Sequence, residues 1–383
     1  MKTIKNVLIA TTRQFNPGDE FILMGTRALL RSIIGDFNTI IFNRNPELLH
    51  RVEKHIFNFQ VNLARFRFKK LKPAGYFDNS FKEELLCEPF VDLAVFAGTP
   101  GWAGSRMKIF YEYLYRHRTP SVFLGIGSGD NKLDISQFPV LYQRVIKNAL
   151  LITARDEVTT NALAAYEAHF LPCPALLAAG QNAQRNINEV KKIGLIYETN
   201  ISSKHNRVNQ GSHAFLLGLY KRLLVGYGKQ FDFEFVCHYV NEIPQCLKDF
   251  PERECRYSYD AVDYIDIYKK FDLVIGPRVH GIGLAASLGI PGICIIHDAR
   301  GDTCRGFGAD VILVGSDIDA FFSLLKSKIK NIADENMSLL QKKDKVFAEY
   351  KALLTPILLN GAKVMEGSLS PQSGTFWQKS ARN

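Results

Sequence analysis

Two residues that could do acid–base and anion chemistry, Arg278 and His280, stand one residue apart where a buried strand should end. The run 271–275 before them reads FDLVI, and small residues dominate the segment 281–289 after them. Burying a permanent cation beside an imidazole costs several kcal/mol unless an anion or a hydrogen-bond network compensates it. We therefore predict that both side chains face a ligand anion, with a hydrogen-bonded core histidine as the alternative for His280.

A second arginine, Arg155, follows the apolar run 150–153 and precedes a helical pattern over 158–166. Its neighbours Asp156 and Glu157 are alternative ion-pair partners, but at the start of a helix they point elsewhere. A free guanidinium can bind a carboxylate or a phosphate through two parallel hydrogen bonds. We predict this role for Arg155.

Asn16, Asp19 and Glu20 follow the first predicted strand, in the segment NPGDE. Gly18 permits a tight turn there, and Asp19 is placed to cap the helix that follows. The three polar residues are candidates for binding an acceptor. A purely structural capping role for Asp19 is the alternative.

Two glycine-rich segments also end predicted strands. Segment 98–104 reads GTPGWAG, and its Thr99 and Trp102 are candidates for a backbone platform with an aromatic face that suits a sugar ring, against the alternative of a plain turn. Segment 125–130 reads GIGSGD, but it lacks the helix start and the later acidic residue of a dinucleotide fingerprint, so we exclude NAD binding there.

His297 and Asp298 follow another predicted strand and face the same region. They are candidates for supporting the side chains that touch the substrate. A structural role is the alternative for both.

Short apolar runs alternate with helical patterns, which predicts α/β folding with parallel sheets covered on both faces. The predicted strands are 6–11, 39–42, 93–97, 121–125, 150–153 and 170–174, and, after the polar segment 181–192, 193–197, 233–238, 272–275, 292–296 and 311–314. Ligands bind at the carboxyl ends of such strands. The restart of the pattern therefore predicts two doubly wound, Rossmann-like domains that face a cleft.

The domain limits follow from this restart and from the last helical patterns. We predict an N-terminal α/β domain over 1–175 on the acceptor side, a C-terminal α/β domain over 176–345 on the donor side, a helix over 346–366 that packs back on the N-terminal domain, and a tail over 367–383.

The formal net charge of +10 favours an anionic partner. The basic segment 65–70 comes nearest to a nucleic-acid motif, but a basic amphipathic surface explains it better, so we expect no nucleic-acid partner. The charge also suits peripheral association with an anionic membrane.

The N-terminal apolar run is too short for a signal-peptide core, and the apolar stretch 279–296 is broken by histidine, glycines and proline. Seven cysteines form no Cys-x-x-Cys pair, which argues against a disulfide framework and a zinc site. We expect a cytoplasmic protein without a metal.

Taken together, the Asn16-x-Gly18-Asp19-Glu20 start, the loop after 93–97, the Arg155-Asp156 pair and Arg278-x-His280-Gly281 resemble the polysaccharide pyruvyl transferases. The resemblance spans most of the chain. It implies a two-domain fold of the GT-B type, phosphoenolpyruvate as co-substrate with no other cofactor, and a saccharide acceptor that can be lipid-linked. The family's third motif is commonly a run of glycines, and this chain departs from it at 98–102, which concerns the acceptor more than the donor.

The resemblance also implies residue roles. Arg155, Arg278 and the backbone of Val279 would contact the donor, and His280 would be the catalytic residue. The reaction would transfer the enolpyruvyl group to two sugar hydroxyls, forming a cyclic ketal and releasing phosphate. Two arginines suit a donor with a carboxylate and a phosphate.

Two other functions remain open on the sequence alone. One is a GT-B nucleotide-sugar glycosyltransferase, although no convincing acidic pair for a ribose follows His280. The other is a non-catalytic carbohydrate-binding relative, against which the intact set of Arg155, Arg278 and His280 argues.

Overall fold

The computed structural model describes residues 3–12, 16–44, 90–98, 100–129, 132–181, 183–199, 210–297 and 300–360. Within these ranges the chain forms two six-stranded sheets whose paired strands all run parallel. Parallel strands need crossover connections, which the helices between them provide. The predicted α/β class with two sheets is confirmed.

The first sheet is built from the N-terminal part of the chain. Its strands are β1 (Asn6–Thr11), β2 (Asn38–Asn43), β3 (Leu93–Ala97), β4 (Ser121–Ile126), β5 (Leu151–Ala154) and β6 (His169–Phe170), in the order β2-β1-β3-β4-β5-β6. The central strands β3 and β4 are buried along their whole length, as expected for a parallel sheet covered on both faces. The edge strand β6 is exposed.

The second sheet repeats this plan. Its strands are β7 (Lys192–Ile196), β8 (Asp232–Val236), β9 (Cys255–Arg256), β10 (Leu273–Gly276), β11 (Gly292–Ile296) and β12 (Asp310–Leu313), in the order β12-β11-β10-β7-β8-β9. Strands β10 and β11 are buried throughout. Among the described strands, only the two-residue β9 was not predicted from the sequence.

Helices connect and cover the strands. They are α1 (Pro17–Ile34), α2 (Lys108–His117), α3 (Val140–Lys147), α4 (Glu157–Ala162), α5 (Gln210–Tyr227), α6 (Ile243–Asp249), α7 (Tyr264–Tyr268), α8 (Val279–Ser287), α9 (Gly301–Gly306), α10 (Ile318–Lys330) and α11 (Ile332–Asn360). None of these described helices combines the length and the apolar character that crossing a bilayer requires.

Helix α1 lies against the segment that leads from the first sheet to the second. A Cβ atom added at Gly25 would lie 1.8 Å from the carbonyl oxygen of Pro174, so the two backbones are in direct contact. Only glycine allows this approach. The contact fixes α1, and with it the start of α1, close to the second sheet.

The last helix returns to the first sheet. Tyr350 on α11 donates a hydrogen bond to the carbonyl of Pro172 over 2.8 Å, and its hydroxyl lies 3.4 Å from Thr153 Oγ1 on β5. Helix α11 begins at Ile332, so the predicted limit at 345/346 falls inside one continuous helix. The limit at 175/176 falls between β6 and β7 and stays a prediction, and the predicted tail lies outside the described residues.

Candidate active site

Arg155 and His280 come from different sheets and are hydrogen-bonded to each other. Arg155 follows β5, and its Nη1 lies 3.0 Å from His280 Nε2 and 3.0 Å from the carbonyl oxygen of Gly98. An arginine can only donate, so Nε2 must accept and the proton of the neutral imidazole must sit on Nδ1. Nδ1 is therefore the nitrogen available to a substrate.

Asp156, the residue next to Arg155, binds other groups and not the Arg155 guanidinium. Asp156 caps α4 by accepting from the backbone N–H of Thr159 and also accepts from the N–H of Ser128. Arg155 itself is only 1% exposed, and its Nε and Nη2 have no hydrogen-bond partner among the described residues. Unpaired buried donors are costly, so Nε and Nη2 are available to donate to an anionic or polar group.

The N-terminus of α1 lies directly against the imidazole. A Cβ atom added at Gly18 would lie 3.0 Å from His280 Cβ and 3.1 Å from Nδ1. The residue that caps α1 is Asn16, whose Oδ1 accepts from the N–H of Gly18 over 3.0 Å. The prediction that Asp19 caps this helix is wrong, because Asn16 has the extended backbone that an N-cap requires.

The N-terminus of α8 opens beside His280. Arg278 is its N-cap residue, and no side chain caps the helix. The first N–H groups of an uncapped helix are unpaired and carry partial positive charge, which makes them an anion site. Val279, His280 and Gly281 supply these groups and line one pocket.

This pocket lies between the carboxyl ends of the two sheets. Its lining residues are Asn16, Gly18, Glu198, His238, Pro277, Arg278, Val279, His280, Gly281 and Arg300. Arg155 does not line the pocket and reaches it through His280. The pocket thus joins the two helix N-termini with the imidazole and two arginines.

Arg278 is already compensated by the protein. Its Nη1 lies 3.2 Å from Glu198 Oε1, its Nη2 donates to Glu242 Oε1, and its guanidinium carbon lies 4.5 Å from the centre of the Tyr239 ring. These carboxylates raise the pKa of Arg278, although burial opposes them. The prediction that a ligand anion compensates this buried cation is corrected, because Glu198 and Glu242 do so.

The imidazole of His280 is held neutral. Burial lowers its pKa well below the usual value, and the neighbouring Arg155, Arg300 and His238 lower it further. His238, whose Nε2 lies 2.9 Å from the Tyr268 hydroxyl, also has a lowered pKa because of burial. The pocket therefore holds two neutral imidazoles until negative charge arrives.

Trp102 does not face the pocket. Its ring is 1% exposed and packs edge-on against Phe123 and Phe138, and its Nε1 donates to the carbonyl of Gly127 over 3.2 Å. The hypothesis of an open aromatic platform is corrected, because the ring belongs to the core of the first domain. Thr99 and Asp298 lie outside the described residues.

The other predicted residues are near the pocket but engaged elsewhere. Asp19 forms an ion pair with Arg44 at 3.2 Å, and Glu20 is buried on α1. His297 lines a neighbouring pocket together with Glu198 and Pro277. Four residues at or beside the pocket were not predicted from the sequence, namely Glu198, Glu242, His238 and Arg300, although the first three come soon after strands β7 and β8.

Known structures define the class of this fold. The chain is similar to a UDP-N-acetylglucosamine 2-epimerase with a TM-score of 0.57 and 14% identity over 98% of this chain and 100% of that one. It is also similar to a putative UDP-N-acetylglucosamine 2-epimerase from Listeria monocytogenes, with a TM-score of 0.52 and 14% identity over 91% of each chain. A trehalose 6-phosphate synthase from Burkholderia multivorans has a TM-score of 0.50 and 10% identity over 97% of this chain and 100% of that one. At such identities the likeness shows the fold alone, two Rossmann-like domains of the GT-B type.

The family model described as polysaccharide pyruvyl transferase matches residues 16–299. This range begins at the cap of α1 and contains Arg155, Arg278 and His280. The chain belongs to the polysaccharide pyruvyl transferase family, whose name denotes transferases of polysaccharide biosynthesis. No functionally curated protein shows significant similarity to the chain.

Proposed function

We propose that the protein transfers the enolpyruvyl group of phosphoenolpyruvate to a saccharide, forms a cyclic pyruvate ketal and releases phosphate. The observation that carries the proposal is the uncapped N-terminus of α8, which opens into the same pocket as the free Nδ1 of His280. Anion binding and proton transfer thereby meet at one place, within a chain of the pyruvyl transferase family.

The donor is held by groups that favour negative charge. The backbone N–H groups of Val279 and Gly281 receive one anionic group, and the dipole of α1 and the side chain of Arg300 favour the other. Arg278 is largely neutralised by Glu198 and Glu242, so its main role is to shape the pocket. A direct contact between Arg155 and the donor stays a prediction.

His280 moves the protons. Donor binding brings negative charge beside the neutral imidazole, which favours protonation of Nε2 to the imidazolium. The protonated Nε2 no longer accepts from Arg155, so the imidazolium can give up its Nδ1 proton and return to the neutral form. Its Nδ1 proton goes to the methylene carbon of phosphoenolpyruvate, C2 becomes electrophilic, and one sugar hydroxyl adds to it while His280 takes back that proton. A second hydroxyl then displaces phosphate, which carries away the last proton.

The acceptor enters from the side of the first sheet. Asn16, Asp19 and Glu20 remain the candidates on that side, together with Thr99. Because Asp19 is paired with Arg44, an acceptor would meet a polar, ion-paired surface rather than an aromatic one. Attachment of the saccharide to a lipid and peripheral membrane association remain parts of the proposal.

Formation of the ketal product is the direct test. Full-length protein is incubated with phosphoenolpyruvate and a panel of free and lipid-linked saccharides, and mass spectrometry of the product should show an added pyruvate ketal. Thermal shift with phosphoenolpyruvate and with a UDP-sugar forms the second arm. Stabilisation by the UDP-sugar alone would favour the glycosyltransferase alternative and reject the proposal, and donor binding without turnover on any saccharide would indicate a non-catalytic relative.

A further inference from the structure

Three cysteines that form no sequence motif come together at one edge of the second sheet. Cys237 follows β8, Cys246 lies in α6 and Cys255 opens β9. Their sulfur atoms all lie within 4.8 Å of one another, and the Cys237 and Cys255 sulfurs are 3.3 Å apart. The cluster lies outside the pocket described above.

The spacing of the sulfurs is close to that of a metal–thiolate site. Zinc–sulfur bonds of about 2.3 Å in tetrahedral geometry place two sulfurs about 3.8 Å apart. The separations in the cluster, from 3.3 Å upward and within 4.8 Å, bracket this value. Small side-chain rotations would be enough to receive an ion.

The surroundings favour a soft ion. Cys237 and Cys246 are buried in the apolar core that also contains Phe235 and Phe250, whereas Cys255 is half-buried. Thiolate sulfur in an apolar shell selects thiophilic ions over magnesium and calcium. The half-buried Cys255 gives an ion, and water as a further ligand, a route from solvent to the cluster.

We propose that Cys237, Cys246 and Cys255 bind one divalent thiophilic ion of the zinc type as three thiolates, with water as the fourth ligand. A divalent ion on three thiolates leaves one net negative charge, whereas a monovalent ion leaves two, which is costlier to bury. Each bound thiol releases its proton to solvent on binding.

A disulfide explains the arrangement less well. Joining Cys237 to Cys255 would require their sulfurs to approach from 3.3 Å to about 2.05 Å and would leave Cys246 unused. Mutual proximity of three sulfurs on three separate elements is what a metal site requires and a disulfide does not. A Cys237–Cys255 disulfide in the purified protein would exclude the metal site.

The ion would hold a short strand at the edge of the second sheet. Strand β9 has two residues, and the ion would tie it to α6 and to the end of β8. Cys237 is followed by His238, whose backbone N–H donates to Glu242 Oε2 over 2.9 Å, and Glu242 pairs with Arg278. The ion would thus also steady the carboxylate that compensates Arg278.

Metal content of the full-length protein tests the site without any reference to transferase activity. We expect about one zinc per chain after purification under reducing conditions without chelator. A chelator first removes any bound metal from the reduced protein. Titration with Cd²⁺ should then give a sulfur-to-metal charge-transfer absorbance that saturates at about one equivalent. Restoring zinc should raise the melting temperature.

Matched variants locate the ion. Cys246→Ser and Cys255→Ser should lose the charge-transfer signal and the bound zinc, whereas Cys304→Ser, which alters another buried cysteine on α9, should keep both. The Cd²⁺ titration of the unmodified protein does not depend on how the variants fold. Failure of the reduced protein to bind Cd²⁺ or zinc, a Cys237–Cys255 disulfide in the purified chain, or zinc that persists in all three variants would each overturn the proposal.

Discussion

Arg155 and His280 are 125 residues apart in the chain and joined by a 3.0 Å hydrogen bond from Nη1 to Nε2. This bond connects the carboxyl end of the first sheet to the first turn of α8 on the second. It also fixes the tautomer of the imidazole, because an arginine cannot accept. The position of the proton in the neutral, resting imidazole therefore depends on a guanidinium that does not itself line the pocket.

Replacing Arg155 should change the protonation of His280 as well as the rate. In Arg155→Met the imidazole loses a neighbouring cation, so its pKa should rise toward the ordinary value. Histidine NMR titration would measure this, and kcat should fall while the donor Kd changes less. Arg222→Met, on an exposed surface, is the control. An unchanged His280 pKa in Arg155→Met would show that the bond has no such role.

Replacing His280 should separate chemistry from binding. His280→Asn removes the proton donor and acceptor but keeps a polar side chain, so kcat should fall by about 100- to 10,000-fold. Donor affinity, measured by isothermal titration calorimetry, should change only a few-fold. His117→Ala, at an exposed helix end, should behave like the unmodified protein. Full phosphate release by His280→Asn would exclude His280 as the catalytic residue.

The backbone N–H of Val279 can be removed without breaking α8. Val279 is the first residue of the helix, where proline is tolerated, and Arg278 before it already has the extended conformation that proline demands (φ −88°, ψ 100°). Val279→Pro should weaken donor binding by about 1.5 to 3 kcal/mol, the value of a hydrogen bond to a charged group.

Ile318→Pro provides the matched control for this experiment. It places proline at the same position of α10, after Asp317, which is also outside the helical region (φ −58°, ψ 125°). Calorimetric titration with phosphoenolpyruvate should give unchanged affinity for Ile318→Pro. Equal affinities of both variants would mean that the α8 terminus does not bind the donor.

The ion pair of Arg278 with Glu242 should be a large contributor to stability. Glu242 is fully buried and also accepts from the backbone N–H groups of His238 and Tyr239. Glu242→Gln leaves a buried cation undercompensated, so the free energy of unfolding in urea should fall by about 3 to 5 kcal/mol. Glu254→Gln breaks an exposed ion pair with Arg256 and should cost less than about 1 kcal/mol. Similar losses in both variants would contradict this account.

The lowered pKa of His280 makes stability depend on pH. Below about pH 6.5 the unfolded chain binds a proton at this histidine and the folded chain does not. Stability should therefore fall as the pH decreases through 6.5, by up to about 1.4 kcal/mol per pH unit from this group. Urea unfolding of the unmodified protein and of His280→Asn between pH 7.5 and pH 5 would show a shallower slope in the variant, and parallel slopes would refute the assignment.

Most strands could be predicted because buried parallel strands are short apolar runs with clear ends. The predictions for β1, β3 and β11 match the observed bounds. The other predicted strands lie within about two residues of the observed ones, except 170–174, of which only Phe170 belongs to β6. Strand β9 was missed because two residues carry no periodicity. Its position is set by pairing with β8, which is a contact distant in sequence.

The site was predictable only in part. The sequence placed Arg155 and His280 each at the end of a predicted strand, and the structure brings the two side chains together. Nothing in the sequence showed that Glu198 and Glu242 would compensate Arg278, because a glutamate after a strand is common and the pairing depends on how the chain folds. Trp102 looked like a sugar platform because composition does not show which way a ring points.

The last helix has a consequence for any attempt to divide the protein. Val346, Tyr350 and Leu354 of α11 are buried, and Lys343 Nζ donates to the carbonyls of Gly180 and Ser287. A fragment that ended after the first sheet would lack the Tyr350 hydroxyl that covers Pro172 and Thr153. Co-expressed halves should therefore reassemble only when the second half keeps α11, and a circular permutant should tolerate new termini between the sheets less well than on an outer loop.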